Sequence, residues 1–161
     1  MSQPDGPTPA VPVPGDPKAE SPLPADRGAG AAGDQFDSLA AEPFLSLVTF
    51  RRDGTAVPTP IWVAAGDGRL LVWTGAESGK VKRLRHTPAV TIAPCDRGGS
   101  LLGEPIPAHA RAMPVEELST VAAAMRAKYG WQFRVATVGA AIGKVIGIAR
   151  PGQIGLEIVL D

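Results

Sequence analysis

Four cations, Lys80, Lys82, Arg83 and Arg85, fall within six residues of "VWTGAESGKVKRLRHTPAVTIAP" (72–94). They follow a strand-like run directly and open a segment in which Ser78 suits the N-cap of a helix. That arrangement is suited to holding an anion. A helix N-terminus presents unpaired N–H groups and a partial positive charge, so a phosphate placed there is stabilised before any side chain contributes. Ser78 adds a hydroxyl, and Lys80 adds a full charge in the first turn. The dipole disfavours an unpaired lysine there by a few tenths of a kcal/mol to about 1 kcal/mol, and an anion removes the conflict. The competing reading is the solvated cationic face of a surface helix. His86, just beyond, is either a further phosphate contact or an exposed helix end.

The 161 residues carry 16 Lys+Arg and 16 Asp+Glu, a balance that argues against nucleic acid or a membrane surface as the main partner. The first 34 residues hold two basic and five acidic residues, leaving 14 basic against 11 acidic for the remainder. Residues 1–33 contain eight prolines and no aromatic residue, too little apolar surface to offset the entropy of ordering. They are expected to form a disordered tail ahead of one domain, 34–161. That tail has neither the basic start and apolar core of a secretory signal nor the Arg-rich amphipathic character of a transit peptide, so a cytoplasmic location is expected. The longest apolar stretch, "VATVGAAIGKVIGIA", is interrupted by Lys144 and falls short of a membrane span. Cys95 is the single cysteine, which excludes an intramolecular disulfide and any multi-cysteine metal site. It reads as a buried, inert thiol at a strand end, and His109 has no acidic neighbour at ligand spacing, so no metal site is expected.

"DQFDSLAAEP" predicts a short helix with Asp34 as N-cap and Pro43 as stop. Three β-rich runs follow, near 44–51, 55–64 and 69–74, divided by Asp53-Gly54 and Asp67-Gly68, dipeptides that favour tight hairpin turns. They read as an antiparallel meander. A helix from Ser78 to about Arg85 comes next, then strands in "AVTIAPC" and "EPIPAHARAMP". Pro114 opens a further helix, with Glu116 and Glu117 in its first turn, Arg126 and Lys128 in its last, and Gly130 as its C-cap. "WQFRVATVGAAIGKVIGIARPG" is expected to begin as a helix, and "QIGLEIVL" alternates as a final strand. Antiparallel strands with a few interspersed helices predict a mainly β fold, a small barrel rather than a doubly wound sheet.

The meander would set "PTPIW" (58–62) beside the strand that ends in Trp73 and Thr74, giving a flat surface next to the anion site. Trp62 is assigned to that surface and Trp73 to the core. A planar ring with a phosphate tail suits such a pair of features. On "LVTFRRDGTAVPTPIWVA", "LLVWTGAESGKVKRLRHTPAVTIAPC" and "KYGWQF", the chain resembles the flavin and deazaflavin-dependent oxidoreductases related to pyridoxamine 5'-phosphate oxidase, and within them the actinobacterial branch that uses coenzyme F-420. The resemblance runs from about Phe44 to Leu160. It implies an FMN-binding split-barrel fold, a homodimer with the cofactor at the subunit interface, and a small-molecule substrate. It places the cofactor phosphate on Ser78 and Lys80, helped by Lys82 and Arg85, and the ring along Thr59, Pro60 and Trp62, with Thr74 at the end of the third strand. Trp131 is the implied contribution from the second subunit, with Val135 to Ile142 near the interface. The apolar, glycine-rich stretch after Trp131 departs from the more charged helix expected of relatives.

These readings make F-420-dependent hydride transfer the leading function, with no catalytic side chain named. An FMN-dependent oxidase or reductase and a non-catalytic protein storing a flavin-type or haem-type cofactor stand as alternatives. The extra cations Lys82, Arg83 and Arg85 suit the longer anionic tail of F-420. If the tail assignment is right, deleting residues 1–33 changes cofactor affinity by less than tenfold, about 1.4 kcal/mol, as read by titration of the truncated protein.

Overall fold

A computed structural model describes residues 28–135 and 152–161, with side chains from residue 31 onward. Its elements are α1 (Gly28–Ala41), β1 (Leu45–Phe50), β2 (Ala56–Ile61), β3 (Ala64–Gly66), β4 (Arg69–Gly75), α2 (Gly79–Leu84), β5 (Ala89–Pro94), β6 (Ile106–Ala112), α3 (Leu118–Tyr129) and β7 (Gln153–Leu160). A short 3-10 turn over Val115–Glu117 leads into α3. The strands form one antiparallel sheet in the order β2-β1-β5-β6-β7-β4-β3. It curls into the split barrel expected from the sequence.

Strand alternation builds two cores, one on each side of this sheet. The interior takes Leu45 and Leu47 of β1, Val90 and Ile92 of β5, Leu70 and Val72 of β4, and Leu156 and Ile158 of β7. On β6 the interior positions are Ala108 and Ala110, small residues that fit a narrow centre. Phe36, Leu39 and Ala40 of α1 and Val81 and Leu84 of α2 pack against the same cluster. On the outer face, α3 lays Val121, Ala122 and Met125 over Ala64, Leu71 and Met113. Gly155 lets it come this close, since a Cβ there would lie 2.8 Å from Val121 Cγ2 and 3.2 Å from Met113 Sδ.

The meander expected over the first three runs is replaced by a crossover. The second run ends at Ile61, and β3, after the Trp62-Val63 link, pairs β4 at the other limit of the sheet order. Pro58 and Pro60 explain this, because they remove two amide donors from β2 and confine it to an edge. Asp67-Gly68 forms the expected hairpin turn with φ of 48° and 72°. Asp53-Gly54 does not, as only Gly54 has positive φ, at 84°. Here Arg51 N donates to Thr55 O (2.9 Å) and Asp53 Oδ1 accepts from Thr55 N (2.9 Å), giving a three-residue loop. Helix α1 begins at Gly28, so Asp34 lies inside it and is not its cap. Anchoring of Phe36, Leu39 and Ala40 supplies the nucleus, from which the helix extends upstream through "GAGAAG", favoured by its alanines and opposed by its three glycines. The rest of the tail, residues 1–27, lies outside the described residues. Residues 131–135 are helical as expected, and the remainder of that stretch, 136–151, also lies outside them. The last strand matches its expected span.

Outer-face Glu157 is 3% exposed, a buried carboxylate on β7. Arg69 and Arg111 both donate to it, and Arg69 also reaches Glu117 at 3.0 Å, tying the 3-10 turn to the sheet. Burial works to raise the Glu157 pKa, but the two arginines outweigh it and hold the carboxyl below its ordinary range. The unfolded chain therefore binds more protons than the folded one as pH falls, so this contribution is complete above the ordinary glutamate range and is lost on acidification through the lowered folded value. Glu157→Gln is expected to cost about 1–3 kcal/mol of unfolding free energy at neutral pH. Denaturant titrations of both proteins from neutral to acidic pH check this, since the gap between them should narrow toward the acid end.

Candidate functional site

Strand β4 leads into the cationic segment through a tight connection. Ala76 N donates to Gly152 O (2.8 Å), anchoring the turn to the start of β7, and Ser78 N donates to Gly75 O (3.1 Å). Ser78 is extended, with φ −65° and ψ 151°, and stands at the N-cap as expected, although its hydroxyl makes no capping bond. Its Oγ is buried and has no hydrogen-bond partner. A polar atom left in that state costs roughly 1–3 kcal/mol relative to a satisfied one.

The six residues of α2 are oriented by Val81 and Leu84, three apart and both buried in the barrel interior. That orientation divides the four cations into two pairs. Lys80 and Arg83, also three apart, are half-buried, whereas Lys82 and Arg85 are exposed. Lys80 Nζ donates to Thr74 Oγ1 at 2.9 Å, and Arg83 Nε donates to Thr49 Oγ1 at 2.7 Å. Both threonines are buried, at the ends of β4 and β1. The Arg83 guanidinium also passes over Gly79, where a Cβ would lie 2.9 Å from Nη1. Burial, and then the neighbouring charge of Arg83, lowers the Lys80 pKa. Among the described residues, neither Lys80 nor Arg83 has an acidic partner. Lys82 pairs with Glu77 at 3.4 Å, both exposed, which is an ordinary solvated contact.

Thr74 thus holds Lys80 and Thr49 holds Arg83 on the helix that Ser78 opens, while Lys82 and Arg85 lie on its exposed side. Sequence reasoning counted Arg83 only among the extra cations and did not consider Thr49. The signal for Arg83 was present, since it stands three residues after Lys80 as Leu84 does after Val81. Thr49 carried none, because its place opposite α2 comes from β1 pairing across the sheet.

The expected ring surface is dispersed. Thr59 pairs with Leu47 and Pro60 with Ser46, so the two point to opposite faces of β2. Gly99, in the loop after β5, approaches Pro60, where a Cβ would lie 3.7 Å from Cδ. Trp62 stacks on Tyr129 with centroids 4.9 Å apart and planes 15° from parallel, and lies 6.5 Å from Phe44. It packs against the outer-face core together with Trp73, which meets Phe133 edge-on at 5.4 Å. Trp131 is 71% exposed. His86 contacts Arg52 of the β1–β2 hairpin at 3.1 Å, and His109 is hydrogen-bonded to Asp161. Cys95 is buried, and that burial, followed by the charges of Asp96 and Glu42, raises its thiol pKa. No helix among the described residues is long and apolar enough to cross a membrane.

No family model matches the chain, and no curated protein matches it. Solved structures do. It is similar to a conserved hypothetical protein, Rv2991, of Mycobacterium tuberculosis, with 21% identity and a TM-score of 0.56 over 80% of this chain and 79% of that one. A candidate pyridoxamine 5'-phosphate oxidase from Listeria innocua aligns at 16% identity and TM-score 0.51, covering 81% of this chain and 94% of the other. The haem storage protein HutZ of Vibrio cholerae aligns at 13% identity and TM-score 0.53, covering 81% and 89%. These likenesses establish the shared split-barrel fold.

The division of α2 sets a contrast to be measured. Lys80→Ala and Arg83→Ala should each weaken binding of F-420 or FMN by roughly 1.5–3 kcal/mol, about 10- to 150-fold, as loss of a charge-assisted bond to phosphate. Lys82→Ala should cost under about 1 kcal/mol, as for exposed charges. Raising the salt concentration should weaken the unaltered protein and flatten that difference. Losses under about 1 kcal/mol from all three substitutions would identify α2 as a solvated face.

Proposed function

We propose that this chain is a cytoplasmic oxidoreductase that holds the phosphate of a flavin-type cofactor, assigned as coenzyme F-420, at Ser78, Lys80 and Arg83, and transfers a hydride between that cofactor and an unsaturated small molecule. The observation that carries the proposal is the pairing of two half-buried cations, each fixed by a buried threonine, beside a buried hydroxyl that lacks a partner. Like charges three residues apart on a short helix repel, and one anion between them relieves the repulsion and satisfies Ser78 together. The choice of F-420 rests on the sequence resemblance.

When bound, the cofactor ring supplies the hydride chemistry. The protein's part is placement. Thr74 and Thr49 restrict the rotamers of Lys80 and Arg83, so less side-chain entropy is lost on binding. Burial of these cations strengthens their attraction to phosphate relative to the same groups in bulk water. A second copy of the chain is expected to complete the site, with exposed Trp131 as its contribution.

One observation favours FMN as a second reading. Lys82 and Arg85 are exposed, and Lys82 pairs with Glu77, leaving the two half-buried cations Lys80 and Arg83, which suffice for one phosphate. Titration of the purified protein with F-420 and with FMN, alongside its absorbance spectrum as isolated and its mass by light scattering, separates the readings. F-420 binding tighter than FMN by tenfold or more, in a dimer, is the expected result. FMN retained through purification favours the second reading. A Soret band with no affinity for either cofactor would make the chain a haem-type binding protein and overturn the proposal.

A further inference from the structure

Lys128 lies in the last turn of α3, but its ammonium faces inward. Nζ donates to three backbone carbonyls, Ala40 O at 2.6 Å, Glu42 O at 2.5 Å and Val63 O at 2.7 Å. It also stands 5.2 Å from the centroid of the Tyr129 ring. The Tyr129 hydroxyl reinforces the same place, lying 2.9 Å from Pro43 O and 2.8 Å from Val63 O, and accepting from Val63 N at 3.0 Å.

An ammonium has three donors, and here each has one acceptor. Ala40 belongs to the last turn of α1, where carbonyls lack helical partners and carry the negative end of the dipole. No basic residue of α1 occupies that turn, so α3 supplies the cation from elsewhere in the chain. The groups converging on Nζ are electron-rich: three carbonyls, an aromatic face and, less directly, the charge of Glu42. Burial lowers the Lys128 pKa, and Glu42 opposes that shift.

We infer that the carbonyls of Ala40, Glu42 and Val63 form a monovalent-cation site whose occupant in this chain is the Lys128 ammonium, and that the site takes free ammonium or potassium when that side chain is removed. Neutral carbonyls replace the hydration shell of a large monovalent ion, whereas divalent ions favour carboxylates or retained waters. The site is independent of the proposed cofactor function, and its role is to join the end of α1, the β2–β3 link and α3.

Thermal unfolding of full-length Lys128→Ala at matched ionic strength in choline, sodium, potassium and ammonium chlorides tests the inference. In choline chloride the variant should melt about 5–10 °C below the unaltered protein. Ammonium or potassium should restore at least half of that loss with a saturating dependence, and the unaltered protein should melt alike in all four salts. Lys128→Met, whose stem fills the site without charge, should stay low in every salt. If Lys128→Ala folds only when ammonium or potassium is present, the inference holds. Equal melting of Lys128→Ala in all salts, failure to fold in any of them, or Lys128→Met as stable as the unaltered protein would overturn it.

Discussion

The antiparallel pair of β4 and β7 is buried on both faces, and the other parts of the molecule are placed with respect to it. Leu70 and Val72 of β4, with Leu156 and Ile158 of β7, face the barrel interior, while Leu71, Trp73 and the Gly155 position face α3. Strand alternation makes the two cores mutually dependent, because a one-residue slip in this pair would exchange every interior side chain for an outer one. The register also brings Glu157 opposite Leu71 on one side and Arg111 on the other, so that a buried carboxylate becomes tolerable only where it can meet both arginines. The end of β4 carries Thr74 and leads into α2. A precise β4–β7 register is therefore a condition for the site.

Within α2, apolar packing determines electrostatics. Val81 and Leu84 enter the interior because burial of two aliphatic side chains is favourable by a few kcal/mol, on the order of 1.5–3 kcal/mol each. That exceeds what separates one arrangement of surface charges from another. The orientation so fixed forces Lys80 and Arg83 into partial burial, where each finds one threonine hydroxyl and, among the described residues, no carboxylate. A helix of six residues contributes little dipole, so the two half-buried cations, more than the backbone terminus, make the arrangement suited to an anion.

Much of this was legible in the amino-acid sequence because it depends on local physics. The strands β1, β4, β5, β6 and β7, the hairpin at Asp67-Gly68, the N-cap position of Ser78 and the C-cap at Gly130 follow from alternation, turn chemistry and capping, which act over a few residues. The cationic cluster was equally visible. What the sequence determined by itself was which segments form elements and which short segment carries the charge. Tertiary structure decided the rest. The crossover from β2 to β3, the partnership of Thr49 with Arg83, the stacking of Trp62 on Tyr129 and the seating of Lys128 under the end of α1 each join residues far apart in the chain. Such contacts are selected by the fit of whole surfaces and the satisfaction of buried polar groups, and neither of these leaves a periodic trace along the chain.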